Sequence, residues 1–166
     1  RQSRDLAARR SSVLAPQAIA RVAVENGLSV LEPATAMVVR AAPGASVLEV
    51  LHCQGWADDL ALDLRELRAD SPALLAEAYR IQTAIWVSNP QALAHSYPNA
   101  AELALRVGDR AWAAVPLRCD GRTVGALGLG FAHPRDLDAE EKRFVLTVAQ
   151  IVAQALERAR LRDEAR

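Results

Sequence analysis

Residues 111–131 read AWAAVPLRCDGRTVGALGLGF, and this stretch decides the fold. Two apolar runs, at positions 110–118 and 122–131, flank the tripeptide Cys119-Asp120-Gly121. Such a pattern is typical of a hairpin, because glycine accepts the positive φ that a tight turn between strands requires. The stretch therefore predicts two antiparallel strands joined by a short turn.

A long helix is predicted directly after this hairpin. Asp138 and Glu141 are three residues apart, which is the spacing of a capping box at a helix start. The apolar residues that follow cover more than one side of a helix. We therefore expect one side to pack on the sheet and another to meet a partner helix.

The segment before the hairpin alternates helices and strands. A helix is predicted over positions 14–31, beginning near Pro16, with Asn26-Gly27 either ending it or tolerated inside it. Further elements are predicted in this order: strands at 34–42 and 47–54 joined by a turn at 43–45, a helix at 72–82 with Ser71 as its cap, a strand at 85–89, and a helical or loop region at 90–107. With its strands in antiparallel hairpins, the chain is predicted to form an α+β layer fold.

Composition and charge exclude several classes of protein. Hydrophobic residues make up 51% of the 166 residues and charged residues 24%, which is typical of one globular domain. The 20 basic and 20 acidic residues cancel, which argues against a nucleic-acid-binding domain. No apolar run approaches the roughly 20 residues that a membrane span requires, and the N-terminus lacks the apolar core of a signal peptide. We therefore expect a cytoplasmic protein, and the strong preference for Arg over Lys favours a high-GC, bacterial genome.

Five segments, in this order along the chain, resemble the pattern of GAF domains. They are QGW at 54–56, DSPALLAEAYR at 70–80, IWVSNP at 85–90, AAVPLRCDGRTVGALGLGF at 113–131 and LDAEEKRFVLTVAQIVAQALERARL at 137–161. The resemblance implies a central antiparallel sheet of about six strands. It also implies terminal helices on one face of the sheet, with helices and loops around a small-molecule pocket on the other face.

Specialised branches of the family do not match this sequence. The Asn-Lys…Phe…Asp-Glu signature of cyclic-nucleotide-binding members cannot be placed, and the Asp-Ile-Pro segment and chromophore cysteine of bilin-binding members are absent. No cofactor is clearly indicated, and the resemblance favours neither haem nor bilin; His95 would be the first candidate for a haem ligand. Cys53 and Cys119 do not reproduce the cysteine set of the methionine-sulfoxide reductases that share this fold.

Aromatic residues are the main candidates for ligand binding. The resemblance places five of them in or beside segments that border the pocket, and such side chains combine an apolar body with one polar group. The candidate ligand-binding residues are Trp112, Trp86, Trp56, Tyr79, Tyr97 and His95. A plain core role for the aromatic residues, or a pocket filled completely by Ala-rich packing, is the alternative.

Catalytic and metal sites are not favoured by the pattern. His52 and Cys53 are neighbours on a strand and would point to opposite faces, so they would not form a nucleophile–base pair. The three histidines are widely spaced and include no pair four residues apart on a helix, so no metal site is indicated. Gly125, Gly128 and Gly130 lie within a strand and are interpreted as a site of close packing by the terminal helix.

The C-terminal helix is expected to form a homodimer, because its apolar positions extend around more of the helix than one sheet can cover. The expected interface residues are Val148, Ile151, Val152, Ala155, Leu156 and Ala159. Residues 1–13 are expected to be an incoming linker helix, residues 14–162 the GAF domain, and residues 163–166 the end of an outgoing helix.

The functional hypothesis is a non-catalytic sensory or regulatory domain of a longer signalling protein. It would bind a small molecule, form dimers, or both, and relay the signal to an output domain such as a kinase, a phosphatase or a transcription regulator. A ligand-free dimerisation or spacer module is the first alternative. A redox enzyme that uses Cys53 or Cys119 is the second.

Overall fold

The computed structural model describes residues 15–56 and 66–165. Within these residues, six strands form one antiparallel sheet in the order β3-β2-β1-β6-β5-β4. The strands are β1 (Thr35–Ala41), β2 (Val47–Gln54), β3 (Glu66–Arg68), β4 (Ile85–Val87), β5 (Ala111–Cys119) and β6 (Arg122–Phe131). The predicted α+β fold with a six-stranded antiparallel sheet is confirmed.

The hairpin of β5 and β6 forms as the sequence predicts. Cys119 pairs with Arg122, so Asp120 and Gly121 are the two residues of the turn. Their φ values are 52° and 76°, and two successive positive φ values match the right-handed twist of the strands. The first strand, β1, lies between β6 and β2, which places both predicted hairpins side by side at the centre of the sheet.

Two helical segments cover one face of the sheet. Helix α1 (Pro16–Val22) begins at its proline and continues through a π-helical turn (Ala23–Gly27) and a 3₁₀ turn (Leu28–Leu31). Gly27 is thus tolerated inside a longer helical segment, which is the second of the two predicted possibilities. Helix α5 (Ala139–Glu164) packs beside it, and the two bury one apolar core against the sheet.

Three short helices cover the other face. They are α2 (Leu74–Ile81), α3 (Pro90–Ser96) and α4 (Pro98–Arg106), and they bury a second apolar core against the sheet. The predicted start of α2 is wrong: Ser71 is not its N-cap, since the helix begins after Ala73 and the Ser71 hydroxyl accepts from the Ala73 N–H in a preceding turn. Asn89, in contrast, caps α3 by accepting from the N–H of Ala92.

The start of α5 is fixed by a set of hydrogen bonds around the predicted capping box. Asp138 accepts from the Glu141 N–H, and the Glu141 side chain accepts from the Asp138 N–H. Arg135 pairs with Glu141 at 2.6 Å and also donates to the carbonyl oxygen of Leu31 at the end of the first helical segment. The capping box is confirmed, and Arg135 ties it to the end of the N-terminal helical segment.

One strand was not predicted from the residues themselves. The three residues of β3 pair with β2, in a region for which the sequence predicted neither a helix nor a strand. Short edge strands carry too few residues for a periodicity to show. The expected linker helix at residues 1–13 lies outside the described residues.

Gly125 tests how tightly the centre of the sheet is packed. A Cβ atom at this position would lie 2.1 Å from the carbonyl oxygen of Val39, which belongs to backbone and cannot rotate away. Gly125→Ala should therefore lower the free energy of unfolding by about 1–3 kcal/mol in urea denaturation. Gly27→Ala is the matched control, because its Cβ would meet only Val148 methyl groups, at 3.8 and 3.9 Å. It should be neutral or stabilise the protein, by up to about 1 kcal/mol; equal stability of both variants would contradict the packing described.

Candidate ligand-binding site

A cavity of about 90 Å³ lies between the sheet and helices α2 and α4. Its floor is formed by β1, β5 and β6, and its roof by side chains such as Leu75 of α2 and Ala104 of α4. Nearly all of its lining is apolar. Apolar clefts that carry a few polar groups are where folded proteins most often bind small molecules.

Two glycines of β6 make room for side chains that line this cavity. Gly128 and Gly130 lie on the face of the sheet that the cavity occupies. A Cβ atom at position 128 would lie 2.3 Å from a Leu75 methyl carbon, and one at position 130 would lie 1.9 Å from the carboxylate of Asp109. The prediction that these glycines admit the terminal helix is wrong, since α5 packs on the opposite face. At Gly125 the close neighbour is the adjacent strand.

The polar end of the cavity is a hydrogen-bonded pair, Thr35 and Asp109. The Thr35 hydroxyl donates to the Asp109 carboxylate at 2.6 Å. Each side chain is 5% exposed, and within the described part of the chain they are the only polar side chains in the buried core. Burial raises the pKa of the Asp109 carboxyl above its ordinary value, and the Thr35 hydrogen bond opposes that rise only in part.

Trp56 adds a second polar group to the lining. Its indole Nε1 is buried, and no hydrogen-bond acceptor for it is found among the described residues. A buried N–H without an acceptor costs about 1–3 kcal/mol, so folded proteins rarely leave one. The Trp56 N–H is therefore a donor without a described acceptor, and the described side-chain partner of the Asp109 carboxyl is a neutral hydroxyl. Both residues line the same apolar cavity.

The predicted ligand-binding residues other than Trp86 divide into three groups. Trp112 and Trp56 line the cavity. Tyr79 and Tyr97 pack against the same apolar core but do not line the cavity, and His95 is exposed at the end of α3.

Trp86 does not face the cavity, which corrects its predicted role. Side chains alternate along a strand, and in β4 the flanking Ile85 and Val87 occupy the cavity side. Trp86 consequently packs against the core under α5, where the Lys142 ammonium lies 5.6 Å from the centre of its ring. In that position it makes a cation–π contact with the first turns of α5.

Sequence reasoning missed Asp109 and Thr35. Asp109 lies in a loop directly before an apolar strand, where an acidic residue is ordinarily exposed, and Thr35 opens a strand in which threonine is common. One signal was available: glycines at alternate positions 128 and 130 leave one face of a central strand without side chains. A vacant face next to Trp112, the cross-strand neighbour of Gly130, predicts a cavity.

The cysteines do not form a redox pair. Cys53 packs against the core on the cavity side, whereas Cys119 packs against the core under α5. Burial raises the pKa of the Cys53 thiol to about 11, so that it is a neutral thiol at physiological pH. His52 lies on the other face from Cys53 and pairs with Gln54 at 2.8 Å. No group of three or more possible metal ligands occurs in residues 15–56 and 66–165.

The predicted dimer residues need a correction as well. Val148, Val152 and Leu156 are buried in the core of their own chain, and Ala159 is also buried. Of the six predicted positions, Ile151 is well exposed, at 59%, and Ala155 is partly exposed. The helix is apolar on several sides because it contacts both the sheet and α1. Its outward apolar residues are Phe144, Leu146, Ile151 and Leu161.

The chain belongs to the GAF domain family, whose model matches residues 14–157. No curated protein matches the chain by sequence. Among solved structures, the GAF domain of an Acinetobacter phosphoenolpyruvate-protein phosphotransferase is similar, with a TM-score of 0.73, 12% identity and coverage of 97% of this chain and 94% of that chain. GAF3 of a Synechocystis protein, in its photoproduct state, is similar with a TM-score of 0.71, 22% identity and coverage of 92% and 99%.

An enzyme shares this fold. A type II free methionine-R-sulfoxide reductase from Thermoplasma acidophilum has a TM-score of 0.64 and 15% identity, with coverage of 86% of this chain and 89% of that chain. Identities this low establish a common fold, and a common fold does not decide activity. In the described residues, no helix has the length and apolar character needed to cross a membrane.

Replacing Asp109 should reveal the cost of its burial. Because the folded pKa lies above the unfolded value of 3.8, burial of the Asp109 carboxyl destabilises the fold at neutral pH, and this penalty vanishes once the pH falls below 3.8. Asp109→Asn should therefore raise the melting temperature by several degrees at pH 7.5, with a gain that shrinks towards pH 4. Asp136→Asn, at an exposed position, is the control and should change little. A lower melting temperature for Asp109→Asn at pH 7.5 would contradict this assignment.

Proposed function

We propose that this GAF domain is a non-catalytic sensor that binds a small molecule in the cavity between the sheet and helices α2 and α4. The observation that carries the proposal is the apolar space beside Trp112, with a buried carboxyl at one end. A domain that needed only a stable core would gain by filling this space, since each lost methylene contact costs about 1 kcal/mol. A retained cavity with a buried charge is better explained by a ligand.

The signal would pass through the sheet to helix α5. Along β6, Gly128 and Gly130 face the cavity, whereas Leu127 and Leu129 face the core shared with α5. A ligand that presses on the glycine backbone therefore displaces the leucines against the helix. Binding would then favour one packing of α5 over another, in the manner of a population shift. An output domain of the same protein, such as a kinase, a phosphatase or a transcription regulator, would respond to that change.

The positions of the two cysteines support a sensor over a redox enzyme. Their side chains pack on opposite faces of the sheet, so one thiol cannot resolve an oxidised form of the other without unfolding. The raised pKa of Cys53 further lowers its reactivity as a nucleophile. These facts make the cysteine-based enzyme the weakest of the candidate functions.

A second candidate function is dimerisation through the outward side of α5. Phe144 and Ile151 are seven residues apart, which places them on one stripe of the helix, and both are exposed. Leu161 lies ten residues after Ile151, which is one heptad plus three, and so continues the stripe. This stripe replaces the buried positions Val148, Val152 and Leu156 as the proposed contact with a second copy. Dimerisation and ligand binding are compatible, because they use opposite faces of the sheet.

Loss of the Trp112 indole should remove ligand binding. Wild-type protein screened against small metabolites should give a rise in melting temperature with at least one compound, and Trp112→Leu should lose that rise because the ring forms a wall of the cavity. Trp86→Leu is the matched control, since it shortens the same residue type on the opposite face. Ala104→Phe, which fills the cavity from α4, should abolish the rise without removing any contact. A response that survives both cavity variants would place the ligand elsewhere.

A charge on the outward stripe of α5 should dissociate the dimer. Light scattering at several concentrations should give a mass of two chains for the wild type and one chain for Ile151→Glu, because a carboxylate would be buried at the centre of the contact. Leu146→Glu is the control, since Leu146 is exposed but lies off the stripe. A wild-type mass of one chain at all concentrations would contradict the dimer.

A further inference from the structure

Among the described residues, the carboxyl of Asp109 has no positively charged partner. Eight ion pairs connect side chains of the described residues, and none of them includes Asp109. Its described side-chain hydrogen bond comes from the neutral Thr35 hydroxyl. A buried carboxylate is stable only if it is paired with a cation or is well supplied with hydrogen bonds. A single neutral donor leaves most of that requirement unmet.

The residues around Asp109 match the chemistry of a cation site. Trp56 and Trp112 line the same cavity, and indole rings attract organic cations through their π electrons. The Trp56 Nε1–H is a donor without a described acceptor, which calls for an oxygen atom on the same ligand. One cavity thus presents an anionic group for an ammonium and an N–H donor for an oxygen.

The size of the cavity limits the ligand to a short chain. A cavity of roughly 150 Å³ in another protein holds a benzene molecule. By that measure, a volume of about 90 Å³ holds about four non-hydrogen atoms, and the open side of the cavity leaves room for about one more. The lining by Met37, Leu75 and Ala114 suits a carbon body between the two polar ends.

We propose that the cavity binds a short-chain amino alcohol or a closely related small organic cation. Its ammonium group contacts the Asp109 carboxylate and the neighbouring indoles, and its oxygen accepts from the Trp56 Nε1–H. This assignment rests on the proposed function, because it names the class of ligand that the sensor cavity takes. It also explains why a charged residue is retained in an otherwise apolar space.

The three tryptophans of the chain provide a built-in test. Their indole N–H signals in ¹H–¹⁵N correlation spectra report on the cavity at Trp56 and Trp112 and on the opposite face at Trp86. The probes are 3-amino-1-propanol, butylamine, 1,3-propanediol and butyrate, which have similar size and differ in charge and in the oxygen group. Titrations at pH 7.5 give a Kd for each probe.

The cationic amino alcohol should bind at least ten times more tightly than the neutral diol, and butyrate should bind least. The Trp56 and Trp112 signals should shift while the Trp86 signal stays in place. Asp109→Asn should reduce the affinity for 3-amino-1-propanol at least tenfold and leave that for the diol unchanged, with the Trp86 signal as the check on folding. Trp56→Phe should remove the advantage of the amino alcohol over butylamine.

Equal affinities for the cation and the diol, or preference for butyrate, would overturn the cation assignment and leave the sensor cavity intact. The same conclusion would follow from an unchanged affinity of Asp109→Asn for the amino alcohol. If no probe moved the Trp112 signal and the metabolite screen also gave no melting shift, the proposed sensor function itself would fail. The probe series on the wild-type protein does not depend on any variant being folded.

Discussion

The missing side chains at Gly128 and Gly130 are the constraint on which the rest of this structure depends. The Leu75 side chain occupies the space above Gly128, and the hydrogen-bonded side chains of Thr35 and Asp109 occupy the space above Gly130. Any larger residue at position 130 would displace the carboxyl that gives the cavity its polar end. The shape and the electrostatic character of the cavity therefore have one origin in β6. The glycines weaken a central strand, and pairing with β1 and β5 on its two sides holds that strand in place.

The alternation of side chains along the sheet links the cavity to the terminal helices. In β6 the glycines face the cavity and the intervening leucines face α5, so one strand contributes to both cores. At the start of α5, Trp86 and Arg135 fix the helix to the rest of the domain through the contact with Lys142 and the pairing with Glu141. A displacement of the sheet would thus reach α5 through these contacts near its N-terminus. Interaction with a second chain would involve the outward side of the helix, at Phe144, Ile151 and Leu161.

Much of the fold followed from the sequence, because its local signals are strong. The Asp120-Gly121 turn, the Pro16 helix start and the capping box of Asp138 each depend on a few neighbouring residues and formed as predicted. The site was harder to predict, since it depends on which face each residue occupies. Trp112 and Trp56 do line the cavity, but Trp86 is one residue out of phase, and β3 was too short to show a pattern. Which apolar residues of α5 face its own core and which face a partner could not be predicted without the position of α1. The burial of Asp109 could not be predicted either, because it depends on Thr35 and Gly130, which are distant from it in sequence.

The central claim is that Asp109 is a carboxyl held in an apolar cavity until a cation joins it. Titration of its side-chain ¹³C carboxyl signal by NMR, with and without saturating 3-amino-1-propanol, tests this most directly. The account predicts a pKa above the ordinary value of 3.8 in the free protein, because burial disfavours the charged form, and a clear fall when the ammonium binds. A pKa at or below 3.8 in the free protein that the amine does not change would contradict the account.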